Sequence, residues 1–142
     1  MWEHSCSKVY SGITKEAIWH LWSDVNNWHK YDPDIEYAKM DSSFEKGNFF
    51  ILKPKGTPFK VNIQLVDVQK YKSYTDCTKF FGAKMYGMHE MHQEGENIRL
   101  SITMKVTGPL SWLWRKLVAE GVAKSNLEQM DNLAHQARLI SK

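Results

Sequence analysis

Residues 85–107 read MYGMHEMHQEGENIRLSITMKVT. The second half alternates without a break: Ile98, Leu100, Ile102, Met104 and Val106 are apolar, while Arg99, Ser101, Thr103, Lys105 and Thr107 are polar. A period of two marks a strand with one buried face, because successive side chains point to opposite sides of a sheet. Gly95-Glu96 sits where the chain must reverse, and glycine at the first central position suits a two-residue type II′ turn. That turn pairs Glu94 with Asn97. Counting outward then sets Met91 opposite Leu100, His89 opposite Ile102, Gly87 opposite Met104 and Met85 opposite Val106. Partners across a pair of strands share a face, so His89 points inward with Met85, Met91, Leu100, Ile102 and Met104. A three-residue loop would slip the register and bring in Met88, Glu90 and His92 instead.

Working outward, residues 2–10 can form a strand. Thr14 can cap a helix that carries Ala17, Ile18, Leu21 and Trp22 on one face. Ser23 or Asp24 can cap a second short helix through Trp28, which Asp32-Pro33 stops. Five or six strand-like runs follow, separated by turn signals around Gly47, Gly56, Lys70-Tyr71-Lys72 and Gly95. Beyond Gly108-Pro109 comes a long helical stretch from Leu110 to about Ile140. The order predicts an α+β fold: a curved antiparallel sheet whose bare face the long C-terminal helix covers, with two short helices after the first strand.

Composition narrows the function. A chain of 142 residues suits one domain spanning 1–142. The net charge is +3, and only Arg99, Arg115 and Arg138 among the 19 basic residues are arginine. Arginine supplies the planar fork that reads phosphates and base edges, so no nucleic-acid partner is expected. Two cysteines, Cys6 and Cys77, and no leader-like apolar run point to reduced thiols in a cytoplasmic protein. No stretch is long and apolar enough for an integral membrane segment. No metal is expected, because His89 and His92 point to opposite faces and no second ligand recurs at a useful spacing. Phosphate-loop and nucleophile-elbow patterns are absent, and no cofactor is expected.

Three strings, IWHLWSDVNNWHKYDPDI at 18–35, FEKGNFFILKPKG at 44–56 and VTGPLSWLW at 106–114, resemble the START-related SRPBCC superfamily. Within it, the likeness is to the polyketide-cyclase/dehydrase-like proteins. The resemblance implies a helix-grip fold, with an internal cavity between the sheet and the C-terminal helix. Members bind lipids, polyketides or other apolar molecules, and some catalyse cyclisation or dehydration. They share no universal catalytic signature, so no catalytic residue carries over.

Under that reading the candidate cavity wall is His89, Met85, Met91, Leu100, Ile102 and Met104 from the hairpin. Ile63 and Phe59 join from a strand face shared with Val61 and Leu65, as does Tyr37 from the face of Ile35. Tyr74 is a further candidate, although the inward side of 73–81, like that of 49–52, stays open. Trp22 or Trp28 borders the mouth, and the rest of the Trp cluster is core. Asp24 and Asp32 are read as cap and turn residues. In the last helix Leu110, Leu113, Leu117 and Gly121 share a face, whereas Ala123, Leu127, Met130, Ala134 and Ala137 form a stripe turned away from it. The phase changes near Gly121, which suggests a kink or a close approach of the backbone there to ligand or sheet, and Leu117 and Gly121 join the candidate wall. His89 has three readings: a core histidine, a polar handle for a ligand, or an acid or base, the last shared with Tyr37 or Tyr74. The expected function is binding or carrying a small apolar ligand. The alternatives are a polyketide-cyclase-like enzyme, or an interaction module or homodimer meeting a protein or membrane surface through Trp112 and Trp114.

Overall fold

The computed structural model describes residues 1–141. Seven strands form one antiparallel sheet: β1 (Trp2–Tyr10), β2 (Ile35–Lys39), β3 (Phe49–Pro54), β4 (Val61–Gln69), β5 (Ser73–Phe80), β6 (Ala83–Glu94) and β7 (Asn97–Thr107). Their order is β1-β7-β6-β5-β4-β3-β2, a meander whose last strand takes β1 along its free edge. Glu94 pairs with Asn97, Met91 with Leu100, His89 with Ile102 and Met85 with Val106, as the two-residue turn requires. Gly95 has φ +63°, where a side chain would strain the turn.

Parity then propagates across the sheet. Tyr74 pairs with His89, Asp76 with Gly87 and Thr78 with Met85, so these β5 residues share the inner face. Phe50 pairs with Ile63 and is fully buried, which fixes the inward side of β3.

Helix α1 (Lys15–Ser23) starts where Thr14 Oγ1 accepts the Ala17 N–H at 3.1 Å. It buries Ile18, Trp19, Leu21 and Trp22. A 3-10 turn at Val25–Lys30 follows, tied back by Trp28 Nε1 donating to the Leu21 carbonyl at 3.0 Å. These two pieces close one end of the grip.

The C-terminal helix is interrupted. Between α2 (Ser111–Trp114) and α3 (Glu120–Ile140), residues Arg115–Ala119 form a π-helical turn. One extra residue in the turn rotates everything after it by about 100° relative to a continuous α-helix. That rotation, and not Gly121, causes the change of phase seen in the sequence. Gly121 is exposed, and a Cβ there would meet no atom within 4 Å. The expectation of a close approach at Gly121 is corrected accordingly.

Helix α3 buries Asn126, Met130, Leu133, Ala134 and Ala137 against the inner face. Each large apolar side chain buried this way contributes roughly 1.5–3 kcal/mol. At the edge, Asp131 accepts hydrogen bonds from Tyr10 Oη at 2.6 Å and Lys8 Nζ at 3.0 Å, clamping α3 to β1. At the other end, Leu110 N donates to the Gly82 carbonyl at 2.9 Å and Trp114 Nε1 to the Phe81 carbonyl at 2.7 Å. The Trp114 ring stacks on Phe80 at 4.4 Å. The approach is close enough that a Cβ on Gly108 would stand 2.6 Å from the Gly82 carbonyl oxygen. This is the helix-grip architecture.

Candidate functional site

Between the inner face and α3 lies a cavity of about 40 Å³. Trp22, Trp28, Tyr31 and Tyr74 form its aromatic side. His89, Leu100 and Ile102 line it from the sheet, and Gln129, Met130 and Leu133 from α3. Asp32 completes the lining where the chain enters β2.

Two polar groupings stand on this wall. The His89 ring stacks on Tyr74 with centroids 4.3 Å apart and planes 7° off parallel, and Trp22 meets it edge-on at 6.4 Å. His89 Nε2 stands 3.6 Å from Asp76 Oδ2, near enough for charge attraction and too long for a hydrogen bond. Both side chains keep some solvent access, 13% and 19%. Gly87, beside them, leaves room for the carboxylate: a Cβ there would lie 3.0 Å from Asp76 Oδ1.

The second grouping centres on Asp32, which is buried. Its Oδ1 accepts the Asp34 N–H at 3.0 Å, and its Oδ2 accepts Gln129 Nε2 at 3.3 Å. Burial pushes the Asp32 carboxyl above the usual carboxylate range, and the bonds from Asp34 and Gln129 offset this only in part. Tyr31 Oη donates to the Leu21 carbonyl at 3.2 Å. Burial holds both Tyr31 and Tyr74 well above the ordinary tyrosine pKa, so each is a neutral phenol. One turn before Met130, on the same buried face of α3, Asn126 Nδ2 has no hydrogen-bond partner among the described residues. Side chains from α1, the 3-10 turn, the sheet and α3 therefore bring neutral donors and carboxyls to a mostly apolar wall.

Of the residues expected from the sequence, Trp22, Trp28, Tyr74, His89, Leu100 and Ile102 lie on this cavity. Ile63 and Met104 are buried on the inner face but belong to the surrounding core, and Met85 is half-buried there. Met91 is also buried, and borders instead a larger hollow of about 550 Å³ shared with Lys72, Thr75, Met88 and His92.

Four expectations are corrected. Tyr37 is exposed, because a bulge between Ile35 and Tyr37 breaks the alternation and puts Ala38 inside. Phe59 precedes the β4 ladder, which starts at Val61, and its side chain stands in solvent. Leu117 falls on the π-helical turn, which directs it outward, and Gly121 is exposed just beyond. Trp114 is packed on Phe80, so of the two tryptophans of that segment Trp112 alone is strongly exposed.

Tyr31, Asp32, Ser101, Gln129, Met130 and Leu133 line the cavity and were not among the expected wall residues, and Asp76 stands beside His89. Asp76 was legible once the β6–β7 register was carried one strand further. Asp32 does make the turn expected of it, and its second position on the cavity depends on Gln129 of α3, which no local pattern marks. Among the described residues no group of three His, Cys, Asp or Glu side chains could hold a metal ion. No helix among them is long and apolar enough to cross a membrane.

The fold is of the helix-grip class. Solved structures with this arrangement include hypothetical protein jhp0584 from Helicobacter pylori, at TM-score 0.76 and 14% identity over 96% of this chain and 88% of that one. The di-domain ARO/CYC StfQ from the steffimycin biosynthetic pathway superposes with TM-score 0.74 and 11% identity over 95% of this chain. The di-domain ARO/CYC BexL from the BE-7585A biosynthetic pathway gives 0.73 and 13% over the whole of it. This chain spans about half the length of each di-domain protein, 50% and 48%. No family profile and no curated protein matches the sequence. At these identities the likeness is one of fold.

Proposed function

We propose that the protein binds a small, largely apolar ligand carrying a hydrogen-bonding group, held between the sheet and α3. The observation that carries this reading is the combination of an aromatic and aliphatic wall with His89, Asp32 and Gln129 on the same cavity. Binding sites are built this way, with apolar area for affinity and a few placed polar groups for orientation. A ligand hydroxyl or carbonyl could use His89 as partner, and its ring could take a place beside Trp22 and Tyr74.

Size sets a condition. The cavity of about 40 Å³ has room for one or a few waters. Sites for drug-sized ligands measure ~300–1,000 Å³. Binding must therefore displace part of the wall, and Met130, with its unbranched and adaptable side chain, is the wall residue best suited to move. The free thiols Cys6 and Cys77 support a cytoplasmic setting.

A second reading, a cyclase- or dehydratase-like enzyme, is favoured by one observation, the His89–Asp76 pair. A carboxylate beside an imidazole can hold the ring and support its protonated form during proton transfer. The likeness in fold to the ARO/CYC proteins is consistent with it.

The test is native mass spectrometry of freshly purified protein, followed by titration of 2-naphthol read by tryptophan fluorescence, on the wild type and His89→Leu. The reading expects saturable quenching and affinity weakened about 5–30-fold by the substitution, the scale of one buried hydrogen bond. Equal affinity for both proteins would make His89 a core residue only. Turnover of a bound molecule that His89→Leu abolishes would move the assignment to the enzyme.

A further inference from the structure

One end of the sheet differs from the rest of the surface. The β3–β4 loop, the β5–β6 hairpin tip and the β7–α2 junction all lie there, because Leu52 pairs with Val61, Ile63 with Thr78, Phe80 with Ala83 and Lys84 with Thr107. Leaving aside the first residue, the four most exposed large apolar side chains of the described residues are Phe81 at 84%, Phe59 at 75%, Leu117 at 64% and Trp112 at 58%. All four belong to this end. Phe81 and Trp112 are held in fixed relation, since Trp114 of the same helical turn bonds the Phe81 carbonyl and stacks on Phe80. The π-helical turn then places Leu117 outward.

Charge singles out the same end. Residues 54–61, 79–84 and 107–117 contain Lys55, Lys60, Lys79, Lys84, Arg115 and Lys116, all exposed, and no Asp or Glu. β1 and β2 also start at this end and bring acidic residues: Glu3 faces Lys105, Glu36 faces Lys53, and Asp34 is exposed, so cations still outnumber carboxylates there. Arg115 also faces Glu120 at 3.6 Å. The whole chain carries only +3, so the remainder is net negative. The positive charge is concentrated around the exposed aromatic rings.

We propose that this end docks on an anionic lipid bilayer. Phe59, Phe81, Trp112 and Leu117 would enter the interface, and the lysines would reach the headgroups beside them. Tryptophan suits the boundary between headgroup and acyl chain, and lysine buries its stem while its ammonium stays at the charged surface. A second copy of the chain is the poorer occupant. A two-fold contact through this patch would set one net positive surface against another. Docking is reversible and superficial, in keeping with a protein in which no described helix can span a bilayer. The inference stands apart from the cavity reading, because none of these side chains lines the cavity.

Cosedimentation with vesicles of phosphatidylcholine, with or without phosphatidylserine, tests it. The wild type should bind the phosphatidylserine vesicles, and binding should weaken with salt. Each of Lys79→Gln, Lys84→Gln and Lys116→Gln should reduce partitioning about fivefold. The triple variant F81S/W112S/L117S should lose at least tenfold while keeping its circular dichroism and its cavity binding of 2-naphthol. No wild-type binding, equal binding to both kinds of vesicle, or binding untouched by the triple variant would overturn the proposal. So would self-association in sedimentation velocity that the triple variant abolishes.

Discussion

Replacing Gly87 by alanine probes the candidate site at its tightest point. In a β-strand, alanine should gain about 0.5–1 kcal/mol over glycine through the reduced entropy of the unfolded chain. Here the new Cβ would stand 3.0 Å from Asp76 Oδ1 and 3.4 Å from Oδ2. The carboxylate must yield by a few tenths of an ångström and turn away from His89. Overpacking costs about 1–3 kcal/mol, and the low end applies because only the tip of one side chain must move. The expected net effect is a loss of up to about 0.5 kcal/mol. In an Asp76→Ala background the obstacle is gone, and the same substitution should stabilise by about 0.5–1 kcal/mol. Urea unfolding of the four proteins in the double-mutant cycle measures the difference, an interaction of about 1 kcal/mol. Additive effects would mean that Asp76 does not lie against Gly87, and the His89–Asp76 pair would fall with it.

Gly121→Ala should raise stability by roughly 0.5–1 kcal/mol, because the position is helical and open; a thermal melt should move up by about 2–4 °C, and a loss would restore the close approach rejected above. Burial raises the Asp32 pKa, so the folded protein holds a proton that the unfolded chain has released. Stability therefore falls as pH rises from the unfolded value near 4 through the folded one and then levels off; Asp32→Asn should flatten that limb in denaturant melts across pH. Tyr10→Phe removes a 2.6 Å bond to a carboxylate and should cost about 1–2 kcal/mol at neutral pH. The cost should shrink in acid, where Asp131, held below the usual carboxylate range chiefly by that hydroxyl, takes up its proton. Trp114→Ala should cost about 2–3 kcal/mol, while Trp112→Ser should stay within about 0.5 kcal/mol in the same melts.

The hairpin was legible because two local facts, the alternation of β7 and the Gly95-Glu96 turn, leave one register that keeps the apolar set together. His89, Leu100 and Ile102 on the cavity follow from it directly. Trp22, Trp28 and the cap at Thr14 follow from helical spacing and capping chemistry, which are also local. Apart from Phe59, which precedes the β4 ladder, what failed depended on single-residue insertions. The bulge at Ile35/Tyr37 and the π-helical turn at Arg115–Ala119 each add one residue to a regular period, and every side chain beyond the insertion changes face. No composition signal marks either one, so Tyr37, Leu117 and Gly121 were assigned to the wrong side. Asp32 and Gln129 meet across 97 positions of sequence, and only the packing of α3 beside the chain that enters β2 brings them together. Asp76 is the opposite case: its parity was ambiguous alone and became fixed by pairing with Gly87.

The inner wall, and not the exposed aromatic end, is the proposed place for a small ligand. The indole N–H signals of the six tryptophans separate the two places in one experiment. Trp22 and Trp28 lie on the cavity, Trp28 with its Nε1 bonded to Leu21, whereas Trp112 stands in solvent at the far end. Titrating 2-naphthol into ¹⁵N-labelled protein should move the Trp22 and Trp28 resonances together along one saturable isotherm and leave Trp112 in place. Movement of Trp112 alone, or no saturable change at Trp22 and Trp28, would contradict the account.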